Sequence, residues 1–342
     1  MAQDSSGDKY RILEEMGESI DMTLGRLNVE TGHVDWYRRP HHVTDGVGAV
    51  QDLLKRHGNK IDQVPLMKPG KVPGRLKRLF LLWEHIKNMP SRHYAWKTWH
   101  EKQFGRGLCL AYAQYDRDGT RALLDYARSQ KSSLNSVLLW TLNECACELL
   151  LTEPPEESVW TIPLNLRGGV KTDNAAGNVT ASISLRLPPD PELRYIDDKI
   201  KSIYQQGVHW GAWVMSNMTR YVGKKLFRHL AKNSKPIWMG VFSNVGSWPL
   251  EELPHAIDDR YAYLGLPPAT YILPVTCCSL TWNGRMSLTA QLHSSISDDS
   301  ADTQKLIAAW TDKLNQLAGI STDQVRVKVE PWPAVREVAE EY

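Results

Sequence analysis

The sequence predicts a mixed α/β fold arranged as two lobes, and three observations support this. The chain has 342 residues, which is enough for two units of ordinary domain size, each with its own core. Hydrophobic residues make up 42% and charged residues 23%, as in ordinary globular proteins. Segments in which apolar and polar residues alternate are interspersed with segments whose apolar residues recur at helical spacing.

Residues 1–155 are expected to form the N-terminal lobe. Residues 1–10 are polar and are expected to be loose. "LGRLNVETGHVDWYR" (24–38) predicts two extended pieces around a turn. The next apolar residues, over 47–58, recur at helical spacing and predict a helix that ends at a glycine.

Three further helices are predicted in this lobe. Residues 75–89 are basic and amphipathic, and we expect their apolar stripe to pack on a core; peripheral membrane contact is the alternative. A short helix over 120–131 is expected to begin at Asp118 or Thr120 as N-cap. Residues 134–151 are apolar nearly all round, which predicts a buried helix.

Residues 156–342 are expected to form the C-terminal lobe, because the Pro-rich "TEPPEES" (152–158) interrupts the periodic pattern. Its predicted elements are strands at 159–166 and 181–188, mostly helical chain over 193–233, a hairpin over 271–293 and a terminal amphipathic helix at 302–318. Asn283-Gly284 is the dipeptide that a type I′ turn prefers, so this hairpin is the clearest of the elements.

Charge and targeting signals narrow the functional class. The formal net charge of +2 is too balanced for a protein that mainly neutralises nucleic-acid phosphates, so no nucleic-acid partner is expected. The N-terminus lacks the apolar stretch of a signal peptide, which predicts a cytoplasmic location. The five cysteines form no C-x-x-C pair and are expected to be reduced, buried thiols.

The segment "RPHHVTDGVGAV" (39–50) places two histidines, a threonine, an aspartate and a glycine in one tight run at a predicted strand-to-helix connection. In the pattern His41-x-x-x-Asp45-Gly46, the histidine can act as a base that takes a proton from an alcohol or amine attacking an acyl thioester. A solvent-facing turn is the alternative. A metal site built from His41, His42 and Asp45 is not expected, because no second cluster of ligands follows.

Asp45 is expected to shape the turn and not to touch substrate. It can pair with an arginine, with Arg26 on the preceding strand as first candidate and Arg167 as second. Gly46 is expected to let the chain pass closely at the start of the helix.

The pattern resembles the HHxxxDG motif of the chloramphenicol-acetyltransferase-like fold, a superfamily that includes condensation domains and wax ester synthase/diacylglycerol acyltransferases. In this register the family's catalytic second histidine is His41, Pro40 replaces the first, and His42 is a variable position. Three further segments are similar to motifs of the wax ester synthase branch: "LNSVLLW" (134–140), "IPLNLRG" (162–168) followed by Gly177-Asn178, and "FSNVGSWP" (242–249).

The resemblance spans roughly residues 34–318 and implies two lobes with a tunnel between them and the histidine at its middle. It implies an acyltransferase that moves an acyl group from coenzyme A or a carrier protein to a hydroxyl or amine, with His41 as general base. The tunnel would be lined by His42, Asn135, Ser243 and Asn244, with Ser243 polarising the acyl oxygen and 242–249 as a floor loop. The thioester is a co-substrate, and no tightly bound cofactor or metal is implied.

Two departures from the family pattern keep alternatives open. Only 40 residues precede His41, where the family has a helix and several strands, so the N-terminal lobe is expected to be abbreviated. Ser136 stands where the wax ester synthase motif has aspartate. Because the first lobe is abbreviated, we expect self-association or a second chain to complete it. The other readings are a non-catalytic binding subunit of the same fold and a thioesterase-like hydrolase.

Overall fold

The computed structural model describes residues 6–59, 61, 63–65, 71–89, 93–101, 103–170, 178–217, 223, 225–226, 228–229, 238–250, 257–331 and 336–337. The elements up to residue 155 are α1 (Ser6–Glu15), β1 (Asp21–Asn28), β2 (Val34–Pro40), α2 (Gly46–Arg56), α3 (Arg75–Lys87), β3 (Cys109–Tyr115), α4 (Arg117–Ser129) and α5 (Leu134–Leu150). The later elements are β4 (Ser158–Asn165), β5 (Thr180–Leu187), α6 (Leu193–Gln206), α7 (Val208–Ser216), β6 (Gly240–Trp248), β7 (Tyr261–Leu266), β8 (Val275–Trp282), β9 (Arg285–Leu292), α8 (Ser300–Ala318), β10 (Val325–Pro331) and β11 (Arg336–Glu337).

A four-stranded sheet, in the order β11-β2-β1-β7, contains the strand that leads into the histidine turn. β1 and β2 form an antiparallel hairpin, as the sequence predicts for 24–38. Gly25 of β1 faces Trp36 and Val34 of β2, and a Cβ at that position would come within 2.9 Å of both side chains. A glycine is therefore required for the large side chains of β2 to lie flat on β1.

A seven-stranded sheet, in the order β10-β3-β9-β8-β6-β4-β5, forms the larger layer. Its β8–β9 hairpin is the one predicted from Asn283-Gly284, whose φ angles of 47° and 77° are those that a type I′ turn requires. β6 runs parallel to both of its neighbours, β4 and β8, so the sheet is mixed.

The expected division of the chain near residue 155 does not coincide with a division between the two sheets. β3, from the first half, lies inside the seven-stranded sheet between β10 and β9. β7, from the second half, closes one edge of the four-stranded sheet beside β1. Each layer is thus built from both halves of the chain, because strand pairing joins residues far apart in sequence.

The apolar helix α5 is buried within the chain itself. Its side chains join the main core together with residues of α4, α6, α8 and the seven-stranded sheet. These elements bury α5 within one chain, and the completion of the N-terminal lobe by a second chain stays a prediction. α4 begins three residues earlier than predicted, with Asp116 as N-cap in place of Asp118 or Thr120; its carboxylate accepts the Gly119 N–H at 2.7 Å.

Two further expectations need correction. Residues 6–15 form a helix, so the expected loose N-terminal segment does not extend to residue 10; residues 1–5 lie outside the described part. The segment 242–249, expected to be a floor loop, lies mostly in β6, with an irregularity in strand register between Asn244 and Ser247. Much of the expected helical region beyond residue 217 also lies outside the described residues.

Helix α3 only partly matches the expectation of an apolar stripe packed on a core. Leu81 and His85 are buried. Other large apolar side chains of the helix are exposed, Leu76 and Phe80 among them. Within the described part of the chain, no helix combines the length and the apolar character needed to cross a bilayer.

Candidate functional site

A cavity of about 320 Å³ lies between the two sheets. Its walls come from β1 and β7 of the smaller sheet, from β4, β5, β6 and β8 of the larger one, and from the first turns of α2 and α5. Five of the residues predicted for the site line this cavity: His41, Gly46, Asn135, Ser243 and Asn244. Two of these residues belong to the histidine turn and α2, one to α5 and two to β6. The packing of the two sheets brings them together.

His41 lies directly after β2, in the turn that leads into α2. The turn is closed by backbone hydrogen bonds from Val43 N and Thr44 N to Pro40 O. His41 Nδ1 lies 3.0 Å from the carbonyl oxygen of Thr44. A carbonyl oxygen can only accept, so this contact favours the neutral ring with its proton on Nδ1 and its lone pair on Nε2, whereas the Asn178 amide group, 3.2 Å from the same Nδ1, can donate only to the opposite tautomer. The first of these tautomers is the one that a general base acting through Nε2 requires.

Two residues that the sequence did not single out as site residues hold the imidazole. Asn178 Nδ2 donates to the backbone carbonyl of His41 at 2.9 Å and lies 3.2 Å from Nδ1. Tyr10 of α1 stacks on the ring, with centroids 4.2 Å apart and planes 17° from parallel. Asn178 belongs to the Gly-Asn pair that carried part of the family resemblance, so that motif was the available signal. Nothing comparable marks Tyr10.

Asp45 is buried and caps helix α2. Its Oδ1 accepts the Gly48 N–H at 2.9 Å, and Oδ2 accepts from Arg167 Nη1 at 2.7 Å, Val179 N at 2.9 Å and Thr180 Oγ1 at 3.0 Å. One carboxylate therefore joins the histidine turn to β5 and to the segment after β4.

The arginine that pairs with Asp45 is Arg167, the second candidate. Arg26, the first candidate, lies instead with its guanidinium 3.5 Å from the ring centroid of Tyr261. The correction has a geometric reason: Arg26 is paired in register with Asp35 and Tyr263, in the middle of the four-stranded sheet. The turn after β2 is several residues away from that position.

His42 does not line the cavity, contrary to its predicted place in the tunnel. Its Nδ1 lies 3.5 Å from Glu14 Oε1 of α1. His41 and His42 are adjacent in sequence but face different surroundings. Substitution of His42 is therefore a matched control for substitution of His41.

Gly46 is the first residue of α2 and lines the cavity. A Cβ at this position would meet only Val245 Cγ2, at an ordinary 3.8 Å. The expected close passage of the chain at Gly46 is therefore not what the structure shows. The glycine instead leaves the cavity wall open beside His41.

Asn244 and Asn135 both line the cavity and contact each other. Asn244 Nδ2 donates to Asn135 Oδ1, which links β6 to the first turn of α5. Asn244 Oδ1 accepts the Gly246 N–H at 2.7 Å. Both polar ends of the Asn244 side chain are thus occupied in shaping the wall. Ser243, next to it, is paired in register with Cys278 of β8.

The described residues that line the cavity include no aspartate, glutamate, lysine or arginine. Met22, Leu24, Val47, Val50 and Leu266 supply an apolar surface beside His41. Burial raises the pKa of the Cys278 thiol, which also lines the cavity, to about 12. The cavity thus combines one imidazole with an uncharged, largely apolar lining. No group of three or more potential metal ligands occurs in the described part of the chain.

Comparisons with family models and with curated proteins find no match to this chain. Solved structures do match. The cyclization-docking bidomain of the EpoB nonribosomal peptide synthetase from Sorangium cellulosum has a TM-score of 0.53 at 12% identity, over 82% of this chain and 59% of that one. Polyketide synthase associated protein 5 from Mycobacterium tuberculosis has a TM-score of 0.51 at 13% identity, over 82% of this chain and 73% of that one.

A third structure concerns condensation domain-mediated chain release from the enacyloxin polyketide synthase. It has a TM-score of 0.47 at 11% identity over 77% of this chain, which spans 49% of that one. The two matches with higher TM-scores carry the assignment: the chain has the condensation-domain-like, chloramphenicol-acetyltransferase-like fold. This confirms the fold expected from the sequence resemblance.

Proposed function

We propose that the protein is an acyltransferase that moves an acyl group from a thioester to a hydroxyl or amine acceptor, with His41 as general base. The observation that carries the proposal is the bond between His41 Nδ1 and the carbonyl oxygen of Thr44, 3.0 Å apart, in a ring that lines the cavity. This contact favours the neutral tautomer whose Nε2 lone pair accepts a proton.

The reaction requires one proton to move twice. Nε2 takes the proton of the acceptor while its oxygen or nitrogen bonds to the thioester carbonyl carbon. When the tetrahedral intermediate collapses, the carbon–sulfur bond breaks and the imidazolium returns the proton to the departing thiolate. Ser243, which lines the cavity, is our candidate for donating a hydrogen bond to the carbonyl oxygen; its hydroxyl contacts the Cys278 thiol in the structure and would turn towards the substrate.

The residues that line the cavity favour one class of acyl group. An unpaired charge would be costly to bury in the cavity, because no described lining residue carries the opposite charge. We therefore assign the cavity to an uncharged, apolar acyl group. Coenzyme A and a carrier protein remain the two candidate thiol carriers, since both present the acyl group as a thioester.

Mass spectrometry of products tests the proposal. The chain is incubated with acyl-coenzyme A and acyl-carrier-protein thioesters of graded length, each with an alcohol or an amine acceptor. We expect an ester or amide that forms with apolar acyl groups and not with acyl groups ending in a carboxylate. Free acid as the sole product would indicate hydrolysis, and saturable binding without turnover would indicate a binding subunit; either result would refute the proposal.

A further inference from the structure

Helix α3 is apolar on two opposite faces. Leu81 and His85 are buried on one face. The other carries five large apolar side chains, with exposed fractions of 85% for Leu76, 60% for Leu79, 60% for Phe80, 56% for Trp83 and 43% for Ile86. These positions follow the spacing i, i+3, i+4, i+7 and i+10, so they form one continuous stripe along the helix. Contiguous exposed apolar surface of this kind marks an interaction site.

The helix cannot rotate to bury the stripe. Its inner face packs on α7, where a Cβ at Gly211 would collide with the carbonyl oxygen of Leu81. The two backbones are therefore in direct contact. Leu81 also belongs to a small core with Leu166, Trp210 and Ala212, which fixes which side of α3 faces inward. The packing of α3 on α7 therefore holds the stripe on the outside of the protein.

The stripe is bordered by positive charge. α3 contains four basic residues and one acidic residue, which gives a formal charge of +3 with histidine neutral. Arg75 and Lys77 are exposed and lie on opposite sides of the stripe. Lys87 Nζ lies 5.6 Å from the ring centroid of Trp83. Long basic side chains beside an apolar face can reach anionic groups while their stems cover apolar surface.

We propose that α3 docks the protein on the surface of an anionic lipid bilayer. The apolar stripe would enter the boundary between headgroups and acyl chains, Trp83 would lie at the interface, and the basic residues would meet lipid phosphates. A second copy of the chain is a poorer occupant, because symmetric pairing would bring two helices of charge +3 together. The proposal does not depend on the reaction assigned to the cavity.

Vesicle flotation tests this docking. We expect the protein to float with vesicles of phosphatidylglycerol mixed with phosphatidylcholine, and much less with phosphatidylcholine alone. The triple variant Leu79→Gln/Phe80→Gln/Trp83→Gln should lower the partition coefficient by about tenfold or more, since each replaced side chain loses apolar burial. Leu108→Gln is the matched control, because Leu108 is 45% exposed and lies outside α3. Arg75→Glu/Lys77→Glu should abolish the preference for anionic vesicles.

All of these side chains are exposed, so unchanged thermal melting will show that the variants fold. Three results would overturn the proposal. The wild-type chain could fail to float, or the triple variant could float as well as the wild type. Alternatively, light scattering could show a dimer that the triple variant loses, with no vesicle binding, which would assign the stripe to a second copy.

Discussion

Arg167 Nη1 lies 2.7 Å from Asp45 Oδ2, and the two side chains are only 8% and 2% exposed. The pair connects the turn that carries His41 to the chain that follows β4. Val179 N and Thr180 Oγ1 donate to the same carboxylate oxygen, so three separate segments meet there. The position of His41 over the cavity therefore depends on a buried charge network and not only on the local turn.

Asp45→Asn should destabilise the fold as well as slow the reaction. Neutralising one partner of a buried ion pair leaves the other charge uncompensated, at a cost of about 3 kcal/mol or more. Urea unfolding at neutral pH measures this loss. Asp125→Asn is the control: Asp125 is 59% exposed and pairs with Arg128, which is 72% exposed, so the expected loss is below about 1 kcal/mol. Equal losses in the two variants would argue against a special role for the buried pair.

Cys278→Ala should leave the transfer rate within about threefold of wild type. Although Cys278 lines the cavity, burial raises its pKa to about 12, so the thiolate needed for nucleophilic attack is scarce at neutral pH. Steady-state rates check this, and intact-protein mass after incubation with an acyl thioester should show no acyl group on Cys278. A covalent acyl adduct at Cys278, together with an inactive alanine variant, would show covalent catalysis in place of direct transfer.

Asp197 of α6 should make stability depend on pH between 4 and 2. Burial raises its pKa, but hydrogen bonds from Lys201, Ser133 and Ser136 outweigh burial and hold the pKa at about 2. Because this folded-state pKa is below the ordinary 3.8, the stabilisation is fully present above pH 4 and is lost as the pH falls through about 2. Asp197→Asn should therefore cost about 2 kcal/mol at pH 7 and progressively less in acid.

This is checked by measuring the free energy of unfolding of the wild type and of Asp197→Asn at pH 7, 4 and 3. The difference between the two proteins should become smaller as the pH falls. Asp198→Asn provides the control, since the neighbouring Asp198 side chain is 67% exposed. A difference that does not change with pH would contradict the assigned pKa.

Ser136, which departs from the aspartate of the wax ester synthase motif, donates to Asp197 at 2.8 Å, so a carboxylate from α6 lies beside this position.

Local features of the fold could be predicted from the sequence. The type I′ turn at Asn283-Gly284 and helix α2 with its ending glycine follow from residue preferences within a few positions. β3 cannot be recognised from alternation, because all seven residues of "CLAYAQY" are buried and the strand has no solvent-facing polar side. The same holds for β7, because five of its six residues are buried.

The candidate site was predictable in its residue types but not in its contacts. His41 and Asp45 stand out because their spacing on a strand-to-helix connection matches a known motif. Their partners Asn178 and Arg167 are 137 and 122 residues away, and only strand pairing brings them close. Arg26 is closer to Asp45 in sequence, on the preceding strand, but its register with Asp35 and Tyr263 places it in the middle of the sheet and away from the turn.

The role of His41 is tested most directly by comparing kcat/KM for His41→Ala and His42→Ala in the acyl-transfer assay. The two residues are adjacent, but only His41 lines the cavity, whereas His42 faces Glu14. We expect His41→Ala to lower kcat/KM by roughly 10²–10⁴-fold, the usual contribution of a general base, with unchanged thermal melting. We expect His42→Ala to stay within about threefold of wild type. Equal activity of the two variants, or a greater loss in His42→Ala, would contradict the assignment of His41 as the base.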